Sequence, residues 1–118
     1  MDNNKIKVGI THGDINGIGY EIIYKTFSAP EMFDMCVPVV YGSAKVATYH
    51  RKGLNMNVNY HVVSSPHEAK EDCLNLVNCF DGEVKIEIGH PGVEAGNLAL
   101  LALERAVEDL KEGKIDVL

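Results

Sequence analysis

The sequence predicts a three-layer α/β/α fold built on a largely parallel sheet. Runs of alternating or β-branched residues recur at Lys5 to Thr11, Val37 to Gly42 and Val58 to Val63. Stretches with helical spacing separate them, and the strongest amphipathic helix, from about Glu94 to Glu112, follows. Strands that alternate with helices form β-α-β crossovers, which need a parallel sheet covered on both faces.

In the first strand Ile6, Val8 and Ile10 alternate until a glycine-rich stretch, Gly13 to Gly19, breaks the pattern. A helix is expected from Tyr20 to Phe27, where Ile22, Ile23 and Phe27 share helical spacing and Ser28-Ala29-Pro30 ends the run. Glu31 to Cys36 fits a short helix. In the second strand, Val37 to Gly42, Pro38 removes one ladder donor near the start. Ser43 caps the next helix, which runs through Ala44, Val46, Ala47 and Tyr49 to Gly53, expected to be left-handed. The third strand follows at Val58 to Val63. Ser64 to Asp72 has room for a short helix, and Leu74 to Asn78 and Val84 to Ile88 read as two further strands.

The final helix sets Leu98, Leu101, Ala102, Leu103, Ala106, Val107 and Leu110 on a broad apolar face, with Glu104, Arg105, Glu108, Asp109 and Lys111 on a solvated one. Gly113 stops it. Ile115-Asp116-Val117-Leu118 then reads as the opening of another buried strand, and on that ground truncation is expected rather than a C-terminal edge strand.

The 118 residues are 46% hydrophobic, 24% charged and 7% aromatic, which places the chain among globular domains and outside disordered and disulfide-rich classes. A formal charge of −6 argues against sequence-independent nucleic-acid binding, which needs clustered Lys and Arg. Cys36, Cys73 and Cys79 are odd in number and lack C-x-x-C spacing, so buried free thiols in a reducing compartment are expected. The start, Met1 to Lys5, carries no signal-peptide pattern, and no apolar run approaches the ~18 residues of a membrane span. A cytoplasmic protein is the expectation.

The sharpest local pattern is Thr11-His12-Gly13-Asp14-Ile15-Asn16-Gly17-Ile18-Gly19-Tyr20-Glu21-Ile22, between the first strand and the first helix. Ligands of open α/β sheets bind beyond the carboxyl ends of strands, and glycines there admit positive φ and close backbone approach. The pattern is neither a phosphate-binding P-loop nor a G-x-G-x-x-G dinucleotide turn. With Gly19 as N-cap, Glu21 meets the positive end of the helix dipole. By itself the stretch reads as a structural turn or as a site.

Thr-x-Gly-Asp-x-x-Gly-Ile-Gly-x-Glu-Ile after a first strand resembles the opening of the 4-hydroxythreonine-4-phosphate dehydrogenase family, within the isocitrate and isopropylmalate dehydrogenase-like superfamily. Cys36 to Ser43 is similar to that family's second strand. Glu94-Ala95-Gly96-Asn97 through Ala106 to Gly113-Lys114-Ile115-Asp116 is similar to its long helix and following strand. The chain departs from the family pattern at Ile15 and Tyr20, commonly Pro, and at Asn16, commonly Ala.

The resemblance implies that residues 1–118 are the amino-terminal segment of a larger two-domain dehydrogenase. It implies oxidation of a phosphorylated hydroxythreonine at its secondary alcohol, with NAD as hydride acceptor and a divalent metal, then decarboxylation toward pyridoxal phosphate. A homodimer is implied, with metal and catalytic residues outside this segment, so no metal ligand or catalytic residue is assigned here. Cofactor contact by Gly13, Asp14, Gly17, Gly19 and Glu21 is what the resemblance suggests. Of His12, His50, His61, His67 and His90 none has ligand spacing, and His12 is the one placed to face the cleft. The competing reading, a stand-alone receiver-like or regulatory domain, calls for an Asp after the third strand, where Ser64-Ser65-Pro66 stands instead.

Overall fold

A computed structural model describes residues 5–56, 58, 60–90 and 92–118. Four strands, β1 (Ile6–Thr11), β2 (Cys36–Gly42), β3 (Tyr60–Val63) and β4 (Leu74–Asn78), form one sheet in the order β1-β2-β4-β3. Every pairing is parallel. Beyond the free side of β1, Val117 bridges to Val8, with Gly9 N donating to Val117 O at 2.8 Å and Asp116 N to Lys7 O at 2.9 Å.

The strand pleat divides the core into two layers. Val40, Leu74 and Leu76 meet Tyr20, Ile23, Tyr24 and Phe27 from α1 (Gly19–Thr26) and its flank, and Val46 and Ala47 from α3 (Ala44–Gly53). Val39, Tyr41, Val63 and Val77 meet Ala102 and Ala106 of α4 (Val93–Lys111) and Ile115 on the other face. The expected three layers are present. Each fully buried Val or Leu in them contributes about 1.5–3 kcal/mol. A one-turn helix, α2 (Met32–Met35), leads into β2.

Pro38 is tolerated for a geometric reason. A strand residue's N–H and C=O point to the same side, and the Pro38 carbonyl accepts from Asn75 Nδ2 at 3.1 Å, toward β4. The β2–β4 ladder starts only at Val39, so the missing donor interrupts no described rung. Ser43 caps α3 as expected, its side chain accepting from Val46 N.

Several expectations need correction. Val84 to Ile88 is no strand: the sheet ends at β3, and this segment runs outside it against the helix layer. The alternation is nonetheless real, because Val84 and Ile86 pack on the α1/α3 core while Lys85 and Glu87 are exposed. The left-handed residue after α3 is Asn55, with φ 53°, whereas Gly53 belongs to the helix. The third strand is shorter than expected, Tyr60–Val63, and Asn59 lies outside the described residues, as do Met1 to Asn4. The short helix between β3 and β4 is a 3-10 turn, Pro66–Glu68.

The last helix departs most. Its buried stripe is Ala95, Leu98, Ala102, Ala106 and Asp109, spaced by three or four residues. The alanines let the helix lie close on the sheet, and contact is confined to that stripe, leaving Leu101, Leu103, Val107 and Leu110 exposed. Asp109, expected on the solvated face, is 1% exposed. It accepts from Tyr41 Oη at 2.7 Å and from Arg105 Nε at 3.3 Å, while Lys114 Nζ lies 3.9 Å away. Desolvation of this carboxylate is thus offset by a phenol and two cations, and Arg105 also reaches Ser64 O at 2.9 Å. Gly113, at φ 76°, ends the helix as expected.

All three cysteines are free and half-buried. Burial raises each thiol above its ordinary pKa, Cys79 to about 11. As thiols rather than thiolates they are poor nucleophiles.

Candidate functional site

The turn from His12 to Ile18 carries the chain from the carboxyl end of β1 into α1. Gly13 takes φ 67°, a left-handed value that favours glycine. Asp14 folds the turn on itself, its Oδ1 accepting from Asn16 N at 2.9 Å and its carbonyl from Gly17 N at 3.0 Å. The helix cap is Ile18, not Gly19 as expected, and no side chain caps it. Gly19 is required by packing, since a Cβ there would stand 2.5 Å from the His12 carbonyl oxygen. At Gly17 an added Cβ would meet Asp14 O at an ordinary 3.4 Å, so nothing within the turn demands a glycine there.

Beneath the turn lie three buried rings. A carbonyl can only accept, so His12 Nε2 carries the proton that bonds Leu98 O at 3.1 Å. Its Nδ1 is then free to accept from Tyr20 Oη at 2.9 Å, and Tyr20 Oη accepts from Ser43 N at 3.2 Å. The chain of donors runs one way through a neutral histidine. Burial holds His12 below its ordinary pKa, the Leu98 bond opposes this, and nearby His50 adds to it. Desolvation raises the Tyr20 pKa, so the phenol stays protonated. His50 stacks on Tyr20 at 5.3 Å between centroids and donates through Nε2 to Ile15 O at 2.7 Å. Among the described residues no buried side-chain nitrogen or oxygen lacks a hydrogen-bond partner. His12 therefore joins β1, α1 and α4 and does not face the cleft.

The cleft lies beside the turn. Gly17, Ile18, Glu21, Tyr49, His50, Gly53, Leu54 and Ile88 enclose about 240 Å³. Ile18, Tyr49 and Ile88 present apolar surface to solvent. Glu21 stands in the first turn of α1 and pairs with Lys25 Nζ at 2.7 Å, a half-exposed contact worth a few tenths of a kcal/mol. Among the described residues no Lys or Arg lines this cleft. Among the described residues no group of three His, Cys, Asp or Glu side chains is placed to hold a metal ion.

The profile of the family described as "Pyridoxal phosphate biosynthetic protein PdxA" matches residues 34–118. The chain belongs to this family. Along all of its 118 residues it is 55% identical to the 4-hydroxythreonine-4-phosphate dehydrogenase of Bacteroides thetaiotaomicron, of which it covers 32%. It is also 33% identical over 123 residues to a Clostridium botulinum protein named for D-threonate 4-phosphate dehydrogenase activity, covering 36% of that sequence. The fold superposes with a TM-score of 0.83 on the crystal structure of a 4-hydroxythreonine-4-phosphate dehydrogenase from Burkholderia phymatum, at 25% identity, over 96% of this chain and 35% of that one. The chain thus spans about a third of the length of the PdxA-family relatives it matches.

Of the five residues singled out in the sequence, the structure brings Gly17 and Glu21 to the cleft wall. Gly13, Asp14 and Gly19 shape the turn that carries them. Tyr49, Leu54 and Ile88 complete the wall without having been anticipated. In the sequence Tyr49 stands only as part of a helical pattern, and Ile88 as part of an expected strand. An exposed aromatic on an otherwise ordinary amphipathic helix was the one available sign.

Proposed function

We propose that residues 1–118 form the amino-terminal part of a two-domain, cytoplasmic, homodimeric dehydrogenase that oxidises 4-hydroxythreonine 4-phosphate with NAD in pyridoxal phosphate biosynthesis. The observation that carries this reading is an identity of 55% over all 118 residues to a relative named for that activity. The higher identity favours this substrate over D-threonate 4-phosphate, named for a relative at 33%.

The residues present fit one wall of a dinucleotide site. Gly17 contributes backbone without a side chain, so a ligand can approach the turn closely. The Glu21 carboxylate is an acceptor suited to sugar hydroxyls, while Ile18, Tyr49 and Ile88 supply apolar surface for a ring. Gly13, Asp14 and Gly19 hold this wall in shape. NAD held against Gly17, Glu21, Tyr49 and Ile88 would supply the hydride acceptor, and a divalent metal held elsewhere in the protein would supply polarisation of the reacting alcohol. In this reading both the metal ligands and the cationic groups that recognise phosphate belong to other parts of the protein. The tasks of this chain are to bind and orient the cofactor and to keep water from one side of it.

The test is NADH formation by the natural polypeptide carrying this chain, with 4-hydroxythreonine 4-phosphate and D-threonate 4-phosphate offered separately. Turnover of the first with higher kcat/KM is expected. Preference for the second overturns the substrate, and turnover of neither overturns the activity. Gly17→Val should raise the KM for NAD at least several-fold, because it adds a branched side chain at a residue of the cleft wall, with little loss of stability.

A further inference from the structure

Asn16 is 6% exposed and binds a segment more than seventy residues away. Its Oδ1 accepts from Glu87 N at 2.7 Å, its Nδ2 donates to His90 O at 2.8 Å, and its carbonyl accepts from Gly89 N at 2.7 Å. These three bonds fall on both sides of Ile88. That residue is 56% exposed and forms part of the cleft wall beside Gly17 and Ile18. Residues 83–87 belong to no sheet, and residues 88–89 form a turn in which Gly89 has φ 80°. Ladder hydrogen bonds therefore do not hold this segment: Val84 and Ile86 anchor its start on the α1/α3 core, and the bonds from Asn16 tie residues 87–90 to the glycine turn. A side chain with both a donor and an acceptor at one end is what such a double contact needs.

We propose that Asn16 is a positioning residue for the cofactor: it clamps segment 87–90 to the glycine turn and so holds Ile88 as the far wall of the cleft. The inference rests on the reading of this cleft as a cofactor site. Without the clamp, ligand binding has to order the 87–90 segment itself, and ordering a mobile side chain or loop on binding weakens affinity by about threefold to tenfold. Asn16 touches no cofactor in this account and acts only through Ile88.

The experiment uses the natural polypeptide carrying this chain, with NAD as the probe and calorimetric titration as the readout. Four proteins are compared: the wild type, Asn16→Ala, Ile88→Ala and the double variant. Amide hydrogen exchange over residues 86–90 and thermal unfolding are followed in parallel. Expected for Asn16→Ala are faster exchange in that segment and an NAD dissociation constant raised about threefold to tenfold. In the Ile88→Ala background, removing Asn16 should then have little further effect on affinity, which a merely structural role would not produce. Asn16→Asp, which keeps the acceptor for Glu87 N but sets a second carboxylate oxygen against the His90 carbonyl, should recover none of the affinity.

Faster exchange with unchanged NAD affinity overturns the positioning role while leaving the cofactor reading intact. Absence of NAD binding by the folded wild type overturns the cofactor reading and this inference with it. Additive effects of the two substitutions overturn the route through Ile88.

Discussion

Around the β1–α1 turn, polar side chains are buried: His12, Asn16, Ser43 and His50 are all under 10% exposed. Along the outer side of α4 the reverse holds, with Val93, Leu100, Leu103, Val107 and Leu110 open to solvent at helical spacing. The two regions depart from the ordinary inside-outside rule in opposite directions, and the reasons differ. At the turn each buried polar atom has a partner that fixes geometry, so polarity specifies one arrangement of chain segments distant in sequence. On α4 the apolar atoms have no partner in the described chain, and a groove of about 300 Å³ lined by Leu103, Glu104, Val107, Glu108 and Lys111 runs along them. Such a stripe specifies nothing until something covers it. One region is finished locally, and the other is not.

Gly19→Val should break the finished region with the largest effect. Its Cβ would press on the His12 carbonyl, and the contact is with backbone, so relief requires moving β1 or α1. A loss of more than about 3 kcal/mol is expected, in the range of severe core overpacking and backbone strain. Urea unfolding measures it, with Gly17→Ala as the control expected to stay within about 0.5 kcal/mol. Equal losses at the two glycines would show that the turn is not organised as described.

Acid should sharpen the comparison with a smaller effect. His12 titrates below its ordinary value in the folded chain, so the folded state binds fewer protons than the unfolded one near neutral pH. The stability it contributes is fully present above the ordinary histidine value and is lost as pH falls below that value toward the lowered one. The loss cannot exceed about 1.4 kcal/mol per pH unit for one group. The groups facing His12 are Tyr20 from α1, His50 from α3 and the Leu98 carbonyl from α4. Urea midpoints should fall between pH 7 and pH 5, and His12→Gln should flatten that fall. An unchanged slope in the variant would mean that His12 is not the group responsible.

The fold was largely legible because strands and helices announce themselves through period. Ile6, Val8 and Ile10 alternate, Ser43 caps, and Gly113 stops, each for a local reason. Failures came where tertiary context reassigned a correct local pattern. Val84 and Ile86 do alternate inward, but toward helices rather than as a rung of the sheet. Asp109 has the sequence neighbours of a surface charge, and the Tyr41 hydroxyl, 68 residues away, joins Arg105 and Lys114 in making its burial tolerable. In the candidate site, the glycines were visible because positive φ and tight approach leave a mark on composition. The Asn16 clamp was not, since its partners are backbone atoms of residues 87–90, and backbone atoms carry no sequence code.

The smallest effect on stability is expected on the outer face of α4, and its consequence lies elsewhere. Leu103→Lys and Val107→Lys replace side chains that are 43% and 37% exposed and lie outside both buried core clusters. In residues 1–118 alone they should change unfolding free energy by no more than about 0.5 kcal/mol, as exposed substitutions do. Self-association is another matter: an uncovered row of leucines and valines on one helix offers apolar area to any similar surface, at about 25 cal/mol per Å² removed from water. Sedimentation of the wild-type 118-residue chain should therefore show concentration-dependent association at micromolar levels, and the double lysine variant should sediment as a monomer. A monodisperse wild-type monomer that unfolds cooperatively would show that the α1/α3 and sheet cores suffice on their own. In the natural polypeptide the same pair of lysines separates two cases. If further chain lies on α4, each buried lysine must desolvate its ammonium without a partner, and stability should drop far more than in residues 1–118. If the cost is the same small value in both, the stripe stays open in the complete protein and the contrast with the glycine turn is permanent.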